Sequence, residues 1–380
     1  MIADEAESLG GKLDFLEHLS VLPDPRQSKK VLYPLDEVLL VTLCAVLCGA
    51  DGWVSVAMFG ERKLAFLRRY LPFANGTPSH DQLGLIFGAL DASAFQTCFI
   101  AWAQGLSGTI EGVVAVDGKT LRRSFDRADG KGALHMISAW SSAQRLVLGA
   151  RAVAEKSNEI TAIPELLDLL AIKGAIVTID AMGCQKKIAE KIIDKKADYV
   201  LGLKGNQGTL RKDVELLFNE QMANGFKDIA VSRALETDAG HDRIETREVF
   251  ATDDIRWLKE RHDWPGLTSI VMVLSTRETT GGIATERRFY ISSLPADAAK
   301  LAAAIRAHWG VENGLHWVLD VNFRDDDCRI RKKNAPANFT AVKRATLNAL
   351  RKAPGKDSLK SKRLIAAWDE TFLAKTLQNL

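Results

Sequence analysis

Two short runs set the strongest limit on the fold. GVVAVDG (Gly112–Gly118) and AIVTIDAMG (Ala175–Gly183) are apolar almost throughout, and each meets an aspartate toward its C-terminal end. A strand with one wet face alternates apolar and polar residues, whereas an unbroken apolar run is covered on both faces. The cover is available as helices: EITAIPELLDLLAI precedes the second run and CQKKIAEKIIDKK follows it. Between the two runs, LHMISAW and RLVLGARAVAE flank the turn-like SSAQ and read as a hairpin. ADYVLGLKGNQG (Ala197–Gly208) supplies a further strand and loop. Three strands in hairpin order, then two joined through helices, predict an α/β fold whose mixed sheet is flanked by helices.

Residues 1–107 read as a helical N-terminal domain, with a DNA-binding role expected for it. Its segments are YPLDEVLLVTLCAVLCGA, VSVAMFGERKLAFLRRYL, TPSHDQLGLIFGAL and DASAFQTCFIAWAQGL, the third with Ser79 and Gln82 at capping-box spacing. The longest apolar run, Val38–Ala50, has 13 residues. A membrane helix needs roughly 18, so this is a core helix and no membrane partner is expected. Residues 108–208 form the first part of the α/β core. RIETREVFAT, LTSIVMVLST and ERRFYISSL make 209–295 a β-rich insertion. The core resumes over 296–350, and 351–380 reads as a basic tail.

The net charge of +3 does not by itself call for nucleic acid, but its distribution is uneven. RIRKK (Arg329–Lys333), VKR (Val342–Arg344) and LKSKR (Leu359–Arg363) cluster near the C-terminus, either as a phosphate-binding surface or as solvated basic sequence. The five cysteines form no CxxC pair and there is no secretory pattern at the N-terminus, so a reducing cytoplasm is expected.

Asp117 and Asp180 stand at the strand ends where open α/β sheets bind ligands. Each alone also suits a turn, because Asp followed closely by Gly is ordinary turn chemistry. Glu312, in HWGVENGLHWVLDV, is harder to explain. At 100° per residue it falls, with His308, in the middle of the apolar stripe of Leu301, Ile305, Leu315 and Leu319. A carboxylate there is costly unless it is paired or binds a metal. A common explanation is that all three acids bind divalent cations of the Mg²⁺ type, which take oxygen ligands. Two such ions about 4 Å apart clamp the attacking and leaving oxygens of a phosphoryl displacement.

These strings, in this order, resemble the DDE transposases of bacterial insertion sequences, and within them the group that includes the H-repeat-associated proteins. The resemblance rests on VAVDGKTLRRS, TIDAMGCQ, DYVLGLKGNQGTL, GHDRIETREV, HWGVENGLHWVLDV and NAPANF, and spans nearly the whole chain. It implies a ribonuclease H-like core with a β-strand insertion before the last catalytic helix. Asp117, Asp180 and Glu312 become the catalytic, metal-binding triad, with two Mg²⁺ ions for which Mn²⁺ substitutes. The activity implied is cleavage of double-stranded DNA at element ends and transfer into target DNA, by a homodimer on DNA in a bacterial, nucleoid-associated cytoplasm. Some related enzymes carry a Tyr, Arg, Glu, Lys signature around the Glu. Here those positions are Ile305, His308, Glu312 and Leu319, so only the Glu matches.

Candidate DNA contacts are Lys119 and Arg122 after the first Asp, Lys204, Asn206 and Gln207 after a core strand, and His308. Arg243 and Arg247, at strand parity with His241 and Glu245, make a polar face suited equally to solvent or to DNA. His308, Glu312 and His316 also have the spacing of a one-face zinc site, a weaker expectation than magnesium. RDDDCR (Arg324–Arg329) reads as a solvated, internally paired loop, and Asp320 as a rival third ligand. Two other functions remain open: an inactive DNA-binding remnant or repressor, and a stand-alone nuclease on the same core.

Overall fold

The structure, a computed structural model, describes residues 13–128, 130–153, 158–240 and 243–379, so His241 lies outside the described residues. One sheet of nine strands carries the fold, in the order β3-β2-β1-β4-β5-β9-β8-β7-β6. Its centre is parallel: β1 (Val113–Thr120), β4 (Ile176–Ile179) and β5 (Asp198–Leu203). The hairpin β2 (His135–Ser141) and β3 (Leu146–Ala152) adds antiparallel strands beside β1. Strand order 3-2-1-4-5, with this antiparallel hairpin, is ribonuclease H-like. The apolar runs are covered as their composition requires, with Val114, Val116, Val177 and Leu201 fully buried.

The insertion is less separate than its sequence suggests. Its strands β6 (Ser232–Gly240), β7 (Arg243–Thr252), β8 (Ser269–Thr279) and β9 (Gly282–Ser292) continue the core sheet, because β9 pairs antiparallel with β5 from Val200↔Ser292 to Leu203↔Phe289. An edge strand's free N–H and C=O groups take a partner where one is offered, and β9 supplies it.

The N-terminal segments fold as helices α1 (Asp14–Leu19), α2 (Leu35–Leu47), α3 (Trp53–Arg62), α4 (Leu64–Leu67), α5 (His80–Ala89) and α6 (Ala92–Ser107). Ser79 caps α5 through the capping box. No single helix among the described residues is long and apolar enough to cross a membrane. Helices α7 (Glu159–Leu169) and α8 (Lys186–Asp194) lead into β4 and β5, α9 (Gly208–Ala223) precedes the strands of the insertion, and α10 (Arg256–His262) lies between β7 and β8.

The opening helix of the last segment is not continuous. Helix α11 (Ala298–His308) ends, a π-helical turn occupies Glu312–His316, and α12 (Trp317–Phe323) resumes. Helix α13 (Ala335–Lys352) then packs against α2, α5, α6 and β3, joining the N-terminal helices to the sheet.

Two readings of basic sequence need correction. VKR lies in α13 with Lys343 and Arg344 buried, 1% and 0% exposed. The Lys343 ammonium pairs with Asp325 at 3.0 Å, and Arg344 donates to Ser138 Oγ and Thr340 O. Residues 351–380 include two helices, α14 (Leu359–Trp368) and α15 (Glu370–Leu377), rather than a solvated tail. Lys362 donates to Leu350 O and Ala353 O, and Arg363 to Val46 O and Asn322 O, so their charges satisfy helix-end carbonyls. Charge counts alone do not separate such buried donors from a surface patch.

Candidate active site

β1 and β4 lie side by side in parallel register, Val116 opposite Ile179, so Asp117 and Asp180 are the next residues along neighbouring strands. Both line a cavity of about 330 Å³ together with Glu312, Thr178, Lys204 and His308. Its far wall comes from the insertion and includes Glu286, Arg288 and Tyr290. The three acids that the sequence separates therefore border one space.

The Asp–Gly pair at 117–118 does not behave as local sequence suggests. β1 runs unbroken to Thr120, so Asp117–Gly118 is strand and not turn. Gly118 is required for a different reason: a Cβ there would lie 2.2 Å from Glu159 Oε1 and 2.6 Å from His135 Nε2. Those two atoms are themselves hydrogen-bonded at 2.6 Å. Glu312, expected inside an apolar stripe, is exposed at the cavity. It keeps the face expected of it, since Ile305 and His308 on the preceding turns line the same cavity, and the π turn that begins at Glu312 is of a kind that recurs at functional sites. Gly314 lets this turn lie on Trp140, whose ring Cζ2 would be 2.8 Å from an added Cβ. Arg351 stacks on the same indole at 4.6 Å and donates to Gly314 O.

The two aspartates are driven apart electrostatically. Burial first, then the charges of Glu312, Glu159 and Asp180, push the Asp117 carboxyl up to about 7, against the pull of the Gly118 N–H. Burial also acts on Asp180, but the Ala181 N–H and the Lys204 ammonium outweigh it and hold that carboxyl below its ordinary value. Lys204 lies 3.3 Å from Asp180. A buried carboxyl crowded by like charges is where a cation would relieve repulsion. The oxygen donors suit a hard divalent ion. Among the described residues, however, no three His, Cys, Asp or Glu side chains are grouped tightly enough to hold one ion between them.

The imidazoles do not assemble a zinc site. His308 Nδ1 is 3.0 Å from Thr178 Oγ1, and burial lowers its pKa. His316 is buried with Nδ1 3.5 Å from Asp117 Oδ2, and burial, then Arg344 and Lys119, push its pKa down to about 3.

Several expected DNA contacts are engaged internally. Lys119 is 9% exposed and bridges Asp320 at 2.7 Å and Asp326 at 3.1 Å, which ties the end of β1 to α12 and occupies the rival ligand Asp320. Asn206 donates to Ala181 O and Gln207 to Cys184 O, clamping the loop after Asp180. Arg122 remains 81% exposed beside Asp326, and Lys204 is 68% exposed. Arg243 and Arg247 line a second cavity of about 760 Å³ that shares Arg288, Tyr290 and Trp309 with the first. Arg247 pairs with Glu245 at 2.6 Å. RDDDCR is internally paired through Arg324 and Asp327, both exposed, but it is not solvated throughout: Asp325 is fully buried on Lys343, while Asp326 and Asp327 also pair with Lys119, Arg122 and Arg123. Sequence reasoning missed the Lys119 bridge and the insertion's wall, since neither partner lies near the other in the chain. The Lys119–Asp320 charge match was the one visible signal.

Residues 16–103 match the DDE_Tnp_1-associated family and residues 108–348 the Transposase DDE domain family. The protein YncI of Escherichia coli O157:H7 is 42% identical over 95% of this chain and 94% of its own length. The H repeat-associated protein YhhI of Escherichia coli strain K12 is 42% identical over 95% of this chain and 97% of its own. Both bear transposase names. A cryo-EM structure of a piggyBac transposase synaptic complex with hairpin DNA aligns with a TM-score of 0.42 at 10% identity, over 98% of this chain and 79% of that one. With more than half its length inside the transposase domain and near-full-length relatives beside it, the chain belongs to the DDE family of DNA transposases.

Proposed function

We propose that Asp117, Asp180 and Glu312 are the catalytic carboxylates, and that they hold two Mg²⁺ ions for which Mn²⁺ substitutes. The observation that carries this is their convergence on one cavity, with Asp117 pushed up by burial first and then by neighbouring carboxylates that include the other two. When bound, the ions supply the positive charge that lets one oxygen replace another at phosphorus.

The substrate is double-stranded DNA at the ends of the mobile element. In the first step water breaks a P–O3′ bond, leaving a 3′-hydroxyl on one side and a 5′-phosphate on the other. In the second, that hydroxyl attacks a target phosphodiester, and the target's own 3′ oxygen departs with the proton. Asp117 and Asp180 are fixed by adjacent strands, so their spacing is set by the sheet. Glu312 sits on the π turn and completes the set from a separate element. His308, held on Thr178, orients at the cavity wall, and Lys204 and Arg122 offer charge to phosphates. Arg243 and Arg247 face DNA along the second cavity. Two ends are joined by a homodimer on DNA.

Cleavage and joining of end-bearing DNA with Mg²⁺ or Mn²⁺ tests this. Asp117→Ala and Glu312→Gln are expected to reduce both products to background while still binding DNA. Undiminished activity in either variant would reject the assignment.

A further inference from the structure

RIRKK has a partner that its sequence does not reveal. The loop after β1 folds back on itself, Asp126 and Lys131 exchanging backbone hydrogen bonds. Residues 329–333 lie against it: Arg331 Nε donates to Arg123 O at 3.0 Å, and Lys332 pairs with Asp126 at 3.0 Å. Phe125 is stacked by two guanidiniums, Arg331 at 4.6 Å and Arg127 at 5.4 Å. Two basic segments some two hundred residues apart are thus stapled into one surface.

Among the described residues, the acids of this surface are turned inward or spent. Asp126 is 6% exposed, Asp326 serves Lys119 and Arg122, and Asp327 serves Arg123 and Arg324. Arg127, Lys131, Arg329 and Lys333 are exposed and have no carboxylate partner among the described residues. Holding like charges together is unfavourable unless an anion joins them. The loop begins just beyond Lys119, on the strand that carries Asp117, and Asp326 joins Lys119 to Arg122 of this surface.

We propose that residues 122–128, 130, 131 and 329–333 form a saddle for the phosphate backbone of the duplex flanking the cut, read without regard to base sequence. The proposal rests on the transposase reading of the site. Backbone phosphates fit because exposed guanidinium and ammonium groups, with no base-reading helix or strand among them, bind charge and spacing only.

The test is fluorescence anisotropy of the full chain with two short duplexes of unrelated sequence across a salt series. The triple variant Arg127→Gln, Arg329→Gln, Lys333→Gln is expected to bind both duplexes about tenfold or more weakly, with a log affinity–log salt slope shallower by about 0.9 per lost phosphate contact. A control triple, Lys352→Gln, Lys356→Gln, Lys360→Gln, removes the same charge at the other end of α13, roughly 25 Å away by helix rise. It is expected to bind within about twofold of the parent, since salt screens distant charges. Unchanged melting temperatures report that both triples fold. Parental binding by the saddle triple, an equal loss in the control, or a loss confined to one duplex would each overturn the saddle. Failure of the transposase reading is distinct: it would show as Asp117→Ala still cutting DNA, whatever the anisotropy.

Discussion

Asp117 and Asp180 begin as equivalent residues, each an aspartate that follows an apolar run, and end in opposite electrostatic surroundings. Pairs of titratable groups pushed apart in this way mark sites of chemistry. A second buried acid, Asp325, shows what the same burial does when a cation is at hand. Burial would raise its carboxyl, but Lys343, then Arg344, hold it below the ordinary value. A carboxyl lowered on folding contributes stability that is complete above its unfolded value, about 3.9, and is lost as pH falls through the folded one. Asp325→Asn leaves Lys343 buried without its partner and is expected to cost about 3–5 kcal/mol at neutral pH. Urea unfolding across pH checks it: the gap between parent and variant should narrow below about pH 4. A gap that is absent at neutral pH would contradict the pairing.

At the scale of elements, the decisive feature is the π turn between α11 and α12. It begins at Glu312, which lines the cavity beside His308 and Ile305, and Gly314 gives it room against Trp140. Gly314→Ala would press a methyl into a ring already fixed by Arg351. The expected costs are about 1–3 kcal/mol of stability and, through displaced Glu312, a fall in cleavage of about 10²-fold. Matched melting curves and single-turnover cleavage measure the two. Activity equal to the parent's would show that the turn does not position Glu312. This element also marks where sequence reasoning stops. The unusual acid and its inward face were legible in the helical phase, but the π turn was not, because a fixed 100° step cannot register an inserted residue. Asp117–Gly118 failed likewise: the Asp–Gly turn signal is local, whereas the need for glycine comes from Glu159 and His135 across the strand.

At the scale of the molecule, the mixed sheet and its helical cover were readable because burial on both faces leaves an unbroken apolar run. The joining of β9 to β5 was not readable, since edge pairing depends on backbone groups that every residue has. Nor was α13 as the hinge-pin between helices and sheet: its Asn338, Lys343, Arg344 and Asn348 look like surface residues and are buried donors. Asn348 both accepts from Val147 N–H and donates to Val147 O, replacing a strand partner. Asn348→Leu is expected to lose about 1–3 kcal/mol by stranding those groups, read by thermal melting. No loss would mean that water replaces the side chain there. The account's central claim is that the three carboxylates share divalent cations. Anomalous diffraction from crystals of the full chain grown with Mn²⁺ and end DNA tests it most directly. The account predicts manganese peaks in the cavity in contact with Asp117, Asp180 and Glu312. Manganese bound only elsewhere, with these carboxylates free of it, would contradict the claim.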